Sequence, residues 1–176
     1  NEWIKRKKNR EIITTDLLYV GRFKKEKGAF FISKIFKEYL KEYKLTLVGT
    51  EKKMISKEFY SKNIKIFGPI IEIKKLIKIY DSTKIFILPS YTEGFPKVIL
   101  ESLSRLKPVI IFKEIKHVMK GRKGIFVCDR NEISLQNKIK YINKNYHKIQ
   151  KTMLKNFFYT KKNFENELLK ILNNEF

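Results

Sequence analysis

The stretch "KIFILPSYTEGFPKVILESLSRLKPVIIF", residues 84–112, places a helix-like segment between two short apolar runs. The runs "KIFILP" and "PVIIF" are apolar at successive positions, which is typical of strands buried on both faces of a parallel sheet. The segment between them has helical spacing, and we predict a helix from about Phe95 with Pro96 near its first turn. Its predicted buried side consists of Val98, Ile99, Leu103 and Leu106.

The same alternation of strand and helix continues on both sides of this unit. Further strands are predicted at "TDLLYVG", "KLTLVG", "IKIFG" and "GIFVCD". Helices are predicted over 28–43, 51–62 and 70–82, and again from Asn131 onward. This order predicts an α/β fold, a Rossmann-like doubly wound parallel sheet of about six strands in a single domain. Ligands of such folds bind at the carboxyl ends of the strands.

The composition is strongly basic, with 40 Lys and Arg against 18 Asp and Glu and a net charge of +22. Such a charge suits a module that binds nucleic acid or an anionic membrane surface without catalysis. Only six of the basic residues are Arg, however, and Ala29 is the single alanine, which indicates an AT-rich codon bias. Both explanations of the charge stay open. The apolar runs are too short to cross a bilayer, and one cysteine, Cys128, suits a cytoplasmic protein.

A basic turn follows the first strand in "VGRFKKEKG", residues 20–28. Gly21 permits the turn, Arg22 offers a planar five-donor fork, and Lys27 precedes Gly28 at the start of a helix. Two cations beside a helix N-terminus can hold a diphosphate. A turn of solvated basic side chains is the alternative interpretation.

Two carboxylates, Glu93 and Glu101, stand eight positions apart at the end of the fourth strand and in the following helix. Ionised carboxylates only accept hydrogen bonds, so this pair suits a ligand rich in hydroxyl groups. The alternatives are a helix-capping acid for Glu93 and a solvated helix face for Glu101. His117 and His147 are isolated, and no Cys/His cluster is present, so no metal site is predicted.

In these blocks the sequence resembles the family 4 retaining glycosyltransferases of the GT-B fold. "TEGFPKVILESLSRLKPVI" resembles their signature with two glutamates eight positions apart, and "VGRFKKEKG" resembles their first-strand loop. "LTLVGT", "IKIFG" and "IYDSTKIFILPS" fall in the same order and spacing. The resemblance runs from about Leu17 to Val127.

The resemblance implies a nucleotide-sugar donor domain over residues 15–130, preceded by a basic linker or extension over 1–14. C-terminal helices over 131–176 would pack on the same domain. Arg22, Lys27 and Glu93 would act in catalysis, the two cations on the diphosphate and Glu93 on the sugar hydroxyls. Glu101 would accept from the ribose. The remaining implied donor contacts are Gly21, Phe67, Gly68, Pro69, Gly94, Phe95 and Pro96.

The family also implies hexose transfer from a nucleoside-diphosphate sugar to a glycan or lipid, without a metal or other cofactor. The sequence lacks the family's glycine pair after the fifth strand, where Lys113 and Glu114 stand, and has His117 where a glutamate is usual. Its acceptor-binding N-terminal domain would be a separate partner, so this chain alone is expected to be inactive. We expect a cytoplasmic location, with peripheral membrane contact as an option and nucleic acid as a disfavoured partner. A degenerate domain that has lost its ligand is a third interpretation.

Overall fold

The computed structural model of the chain describes residues 3–4, 12–55, 57, 60–159, 162–163, 165–166 and 168–169. Six strands form one sheet in the order β3-β2-β1-β4-β5-β6, and every neighbouring pair is parallel. The predicted α/β Rossmann-like fold is therefore confirmed. The strands are β1 (Thr15–Val20), β2 (Leu45–Val48), β3 (Ile64–Phe67), β4 (Thr83–Leu88), β5 (Val109–Phe112) and β6 (Ile125–Cys128).

Among the described residues, the α-helices with both ends defined are α1 (Ala29–Tyr39), α2 (Ile73–Asp81), α3 (Lys97–Ser104) and α4 (Glu132–Met153), and they connect and cover the strands. The central strands are almost wholly buried, as their unbroken apolar runs predict. Every residue of β2 and β5 is buried, whereas the edge strand β3 alternates between exposed and half-buried positions. No helix among the described residues has both the length and the apolar character that a membrane crossing requires.

Three predicted helix boundaries were wrong. The described part of 51–62 has 3₁₀ geometry at Lys52–Met54 and at Lys57 rather than an α-helix, and residues 56, 58 and 59 of that range lie outside the described residues. Helix α3 begins at Lys97 rather than at about Phe95, and Pro96, near the first turn, is its extended N-cap residue with ψ 104°. Helix α1 ends at Tyr39, before the predicted limit of 43.

The sequence of α3 still buries the side that its spacing predicts. Ile99, Leu103 and Leu106 are at most 2% exposed, and Val98 is half-buried. Helix α4 starts after a sharp cap, in which the Asn131 side chain accepts a hydrogen bond from the Ser134 amide at 2.8 Å. Such a cap gives a hydrogen-bond acceptor to one of the amides in the first turn that have no partner within the helix. It thereby fixes where the helix starts.

Gly28 joins the first helix to the end of β4. Its φ of 67° lies in the left-handed region, and it is the N-cap residue of α1. A Cβ at this position would stand 1.9 Å from the carbonyl oxygen of Pro89. Only a residue without a side chain allows α1 to approach β4 this closely, and Lys27 is thereby brought to the same end of the sheet.

Gly28→Ala tests this close approach. The left-handed backbone alone costs roughly 1–2 kcal/mol with a Cβ, and the overlap with Pro89 adds to that cost. We therefore expect a clear fall in the midpoint of urea unfolding. Gly68→Ala is the matched control, because a Cβ added to Gly68 would have no atom within 4 Å. Equal midpoints for the two variants would contradict the account of this contact.

Candidate functional site

The carboxyl ends of β1, β2 and β3 meet around Gly49. Its amide donates to the carbonyls of Phe67 at 3.1 Å and Gly68 at 3.3 Å, and its φ is 86°. A Cβ on Gly49 would lie 2.9 Å from the Gly21 carbonyl, which also accepts from the Thr50 hydroxyl at 3.3 Å. The structure thus brings Gly21, Phe67 and Gly68 together, and exposed Pro69 follows them along the chain.

Lys27 and Glu93 meet in an ion pair across this edge of the sheet. Lys27 Nζ lies 2.9 Å from Glu93 Oε1, and the Ser90 hydroxyl donates to the same oxygen at 2.6 Å. The Glu93 side chain is only 10% exposed and that of Lys27 28%. A backbone bond from the Tyr91 amide to the Glu26 carbonyl, 2.9 Å, joins the two loops that carry the pair. The Glu93 side chain therefore has two protein partners, Lys27 and Ser90. A helix-capping role for Glu93 does not explain this arrangement.

His117 contacts the same glutamate from a third segment. Its Nε2 lies 2.8 Å from the Glu93 main-chain carbonyl, from a 3₁₀ segment, Lys113–Met119, that follows β5. This contact was not predicted from the sequence. The sequence offers no signal for this contact because the two residues are 24 positions apart.

Arg22 stands at the tip of β1 with an exposed side chain. Its carbonyl accepts a hydrogen bond from the Tyr19 hydroxyl at 2.7 Å, which fixes the turn after the strand. Burial, reinforced by the charge of Glu93, raises the pKa of Tyr19 well above its ordinary value, so the phenol remains a donor. The exposed guanidinium is accessible to a ligand.

Glu101 occupies the second turn of α3 and is half-buried there. The hydroxyl of the fully buried Tyr80 donates to its Oε2 at 3.0 Å, so a purely solvated helix face does not describe it. Burial raises the pKa of Glu101, and this effect is opposed by the Tyr80 hydrogen bond and by the charge of Lys97. The structure joins Glu101 to Tyr80 rather than to the Lys27–Glu93 pair.

The turn into α3 is open to solvent. A Cβ added to Gly94 would meet no atom within 4 Å, and Phe95 is 53% exposed. The Lys120 ammonium and the Arg122 guanidinium lie 5.2 and 5.9 Å from the centre of the Phe95 ring. Phe95 and Glu101 also line a hollow of about 330 Å³. This turn leaves room for a ligand at the start of the helix, next to Pro96.

The residues that depart from the family pattern have partners at this edge. Lys113 forms an ion pair with Asp129, and Glu114 accepts from Arg130 at 2.6 Å. That hydrogen bond lowers the pKa of Glu114. Arg130 was missed by the sequence reasoning, because its contacts come from strands far apart in the chain. In the described part of the protein, no three His, Cys, Asp or Glu side chains are grouped as a metal site would require.

The chain belongs to the glycosyl transferases group 1, whose family model matches residues 1–159. Its single α/β domain corresponds to one half of the GT-B fold of these enzymes. The resemblance described from the sequence is therefore confirmed at the level of this family and fold.

Three similar proteins that are longer than this chain illustrate the likeness. An uncharacterized glycosyltransferase from Haemophilus influenzae is 26% identical over an alignment of 126 residues that covers 66% of this chain and 36% of the relative. A mutant of S. aureus TarM, solved with fondaparinux, α-GlcNAc-glycerol and UDP, has a TM-score of 0.68 at 18% identity, covering 97% of this chain and 37% of TarM. Anabaena Alr3699/HepE, solved with UDP and glucose, has a TM-score of 0.63 at 18% identity, covering 81% and 42% of the two chains.

Glu101→Gln tests the environment of the half-buried carboxylate. Because its pKa is raised in the folded state, the native protein keeps a proton that the unfolded chain releases near pH 4.5. The wild type therefore loses this contribution to stability as pH rises through the folded pKa, whereas the variant does not. We expect the stability of the variant relative to the wild type to increase with pH over that interval and then to level off.

Urea unfolding at a series of pH values measures this difference. Glu38→Gln removes a carboxylate from the exposed surface of α1 and serves as the control. A relative stability of Glu101→Gln that stays constant or falls with pH would contradict the assignment of a raised pKa.

Proposed function

We propose that this domain binds the nucleoside-diphosphate sugar donor of a retaining glycosyltransferase that transfers a hexose to a glycan or lipid. The observation that carries the proposal is the Lys27–Glu93 pair at the carboxyl edge of the sheet, beside exposed Arg22. Family membership supports glycosyl transfer. The UDP bound in the TarM and HepE structures supports a nucleotide-linked donor.

The diphosphate of the donor would lie between Arg22 and Lys27. A lysine ammonium has three donors, so Lys27 can hold Glu93 and a phosphate oxygen at the same time. Arg22 supplies a fork that matches two phosphate oxygens. During transfer the bond between the anomeric carbon and the phosphate oxygen breaks and the leaving diphosphate takes the electron pair, while the acceptor hydroxyl oxygen forms the new bond to that carbon and its proton passes to the diphosphate. The two cations would stabilise that developing charge, and no metal is part of this proposal.

The two glutamates would recognise the hydroxyl groups of the donor. Glu93 accepts through Oε1 from Lys27 and Ser90, so its Oε2 can accept from sugar hydroxyls. Glu101 accepts from Tyr80 through Oε2, so its Oε1 can accept from a ribose. The exposed Gly94 and Phe95 would border the sugar, and the carbonyls after β3 would border the base. A raised pKa such as that of Glu101 is common among carboxyl groups at binding sites, which supports this role.

Acceptor recognition is proposed to come from residues outside this chain, since the chain spans about 36% of the Haemophilus relative. Transfer requires donor and acceptor to be held together, because positioning supplies much of the rate. These 176 residues alone should therefore bind the donor without transferring it. Product formation from a radiolabelled donor by this chain alone would refute that part of the proposal.

Arg22→Ala and Lys27→Ala test the diphosphate site by calorimetry with UDP. A hydrogen bond to a charged group contributes roughly 1.5–3 kcal/mol, so Arg22→Ala should weaken UDP binding by about 10- to 150-fold. Lys27→Ala should weaken it less, because water or a neighbouring lysine can replace an ammonium. Lys25→Ala, an equal change of charge at an exposed position of the same loop, is the control and should bind like the wild type.

Three variants with the same affinity would contradict the site. Added salt could also weaken UDP binding as steeply as it weakens binding of a nucleic-acid oligomer. That result would instead favour a general polyanion-binding surface.

A further inference from the structure

Arg130 follows β6, and the chain on both sides of it is held in place. Cys128, the last residue of the strand, is buried, and Asn131 is the N-cap of α4. The cap leaves the backbone little freedom at position 130 because the helix cannot begin elsewhere without losing the Asn131 bond to Ser134. The side chain is directed over the carboxyl ends of the neighbouring strands and is only 13% exposed.

The guanidinium of Arg130 donates hydrogen bonds to three acceptors. Nη1 donates to the Pro89 carbonyl at 2.7 Å, and Nη2 donates to the Ser90 carbonyl at 2.9 Å. Nε donates to Glu114 Oε1 at 2.6 Å. The first two bonds hold the chain where it leaves β4, and the third holds the segment that follows β5. One planar group therefore connects the ends of β4, β5 and β6.

Aromatic rings hold the plane of this guanidinium in place. Its carbon atom lies 3.8 Å from the ring centre of Tyr91, 4.5 Å from that of Phe112 and 5.0 Å from that of Phe31. Stacking on aromatic faces is a property of arginine that lysine reproduces poorly. The rings also exclude water, which strengthens the hydrogen bonds to the carbonyls.

Both segments that Arg130 holds lead directly to Glu93. Ser90, whose carbonyl accepts from Arg130, donates its hydroxyl to Glu93 Oε1 at 2.6 Å. The segment that contains Glu114 also contains His117, which lies 2.8 Å from the Glu93 carbonyl. Arg130 therefore acts on the side chain of Glu93 through one segment and on its backbone through the other.

We propose that Arg130 is a positioning residue that sets the placement of Glu93, and through it Lys27, for donor binding. The hydrogen bonds of Arg130 in the described part of the chain go to Pro89, Ser90 and Glu114, so its effect passes through the two segments. The inference rests on the proposed function for its binding consequence, whereas the ordering of the two segments is independent of any ligand.

Arg130→Gln removes the fork, and Arg130→Lys keeps the charge with a single donor group. Arg105→Gln is a matched control: Arg105 is 11% exposed and donates to both carboxylate oxygens of Asp81 at 2.9 and 2.6 Å. Arg105 precedes β5 and so lies at the opposite end of the sheet. Three readouts apply to each variant: thermal melting, hydrogen exchange of the amides in 89–96 and 113–119, and UDP affinity by calorimetry.

All three variants should melt at a lower temperature than the wild type. Below those temperatures, Arg130→Gln should exchange faster in both segments and bind UDP more weakly, by no more than the loss measured for Lys27→Ala, because its effect on the diphosphate passes through Lys27. Arg130→Lys should fall between Arg130→Gln and the wild type, because an ammonium cannot span three acceptors. Arg105→Gln should leave exchange in the two segments and UDP affinity unchanged.

The outcomes distinguish this inference from the proposed function. A wild type that does not bind UDP would refute the donor site, and the exchange data alone would then decide whether Arg130 orders the two segments. Wild-type exchange in Arg130→Gln, or wild-type UDP affinity where the wild type does bind, would overturn the positioning role. Equal losses of UDP affinity in Arg130→Gln and Arg105→Gln would mean that the weaker binding comes from a general loss of stability and not from positioning by Arg130.

Discussion

The backbone of Gly28 packs directly against the carbonyl group of Pro89, where the first βα turn meets the end of β4. Lys27 comes directly before Gly28, and Glu93 follows Pro89 by a few residues. The Gly28–Pro89 contact therefore sets the distance across which Lys27 and Glu93 pair. The same carbonyl accepts a hydrogen bond from Arg130. Three parts of the chain that are remote in sequence therefore converge on one oxygen atom, and the candidate site is built around it.

The parallel sheet explains why the polar groups gather at one edge. Every strand ends at the same side, so Gly21, Gly68 and Pro89 lie along one edge although the chain between them is long. A hydrophobic core requires only apolar strands, and the fully buried strands β2 and β5 contribute to it. Carboxylates that are wholly or partly withdrawn from water, such as Glu93 and the half-buried Glu101, do not add to such a core. Lys27 and Ser90 donate to one oxygen of Glu93 and Tyr80 donates to one oxygen of Glu101, so the proposed ligand would bind through the second oxygen of each.

Much of this architecture could be predicted from the sequence, because strand order and buried faces depend on local apolar patterns. The turn from Gly21 to Gly28 and the two glutamates were also visible as local motifs. His117 and Arg130 were not, since their contacts with Glu93, Pro89 and Ser90 span 24 to 41 positions and leave no periodic signal. The helix candidate over 51–62 is replaced in its described part by 3₁₀ geometry at Lys52–Met54 and Lys57. The net charge of +22 did not indicate which cations face a ligand.

The central claim is that a nucleotide sugar binds at the carboxyl edge of the sheet, and nuclear magnetic resonance tests it most directly. Titration of the ¹⁵N-labelled chain with UDP-glucose should shift the amide signals of the turn 21–28 and of the segment 90–98. The signals of residues at the opposite end of the sheet, around Arg105 and Lys107, should stay in place. Shifts confined to that opposite end, or spread evenly over the lysine-rich surface, would contradict the account.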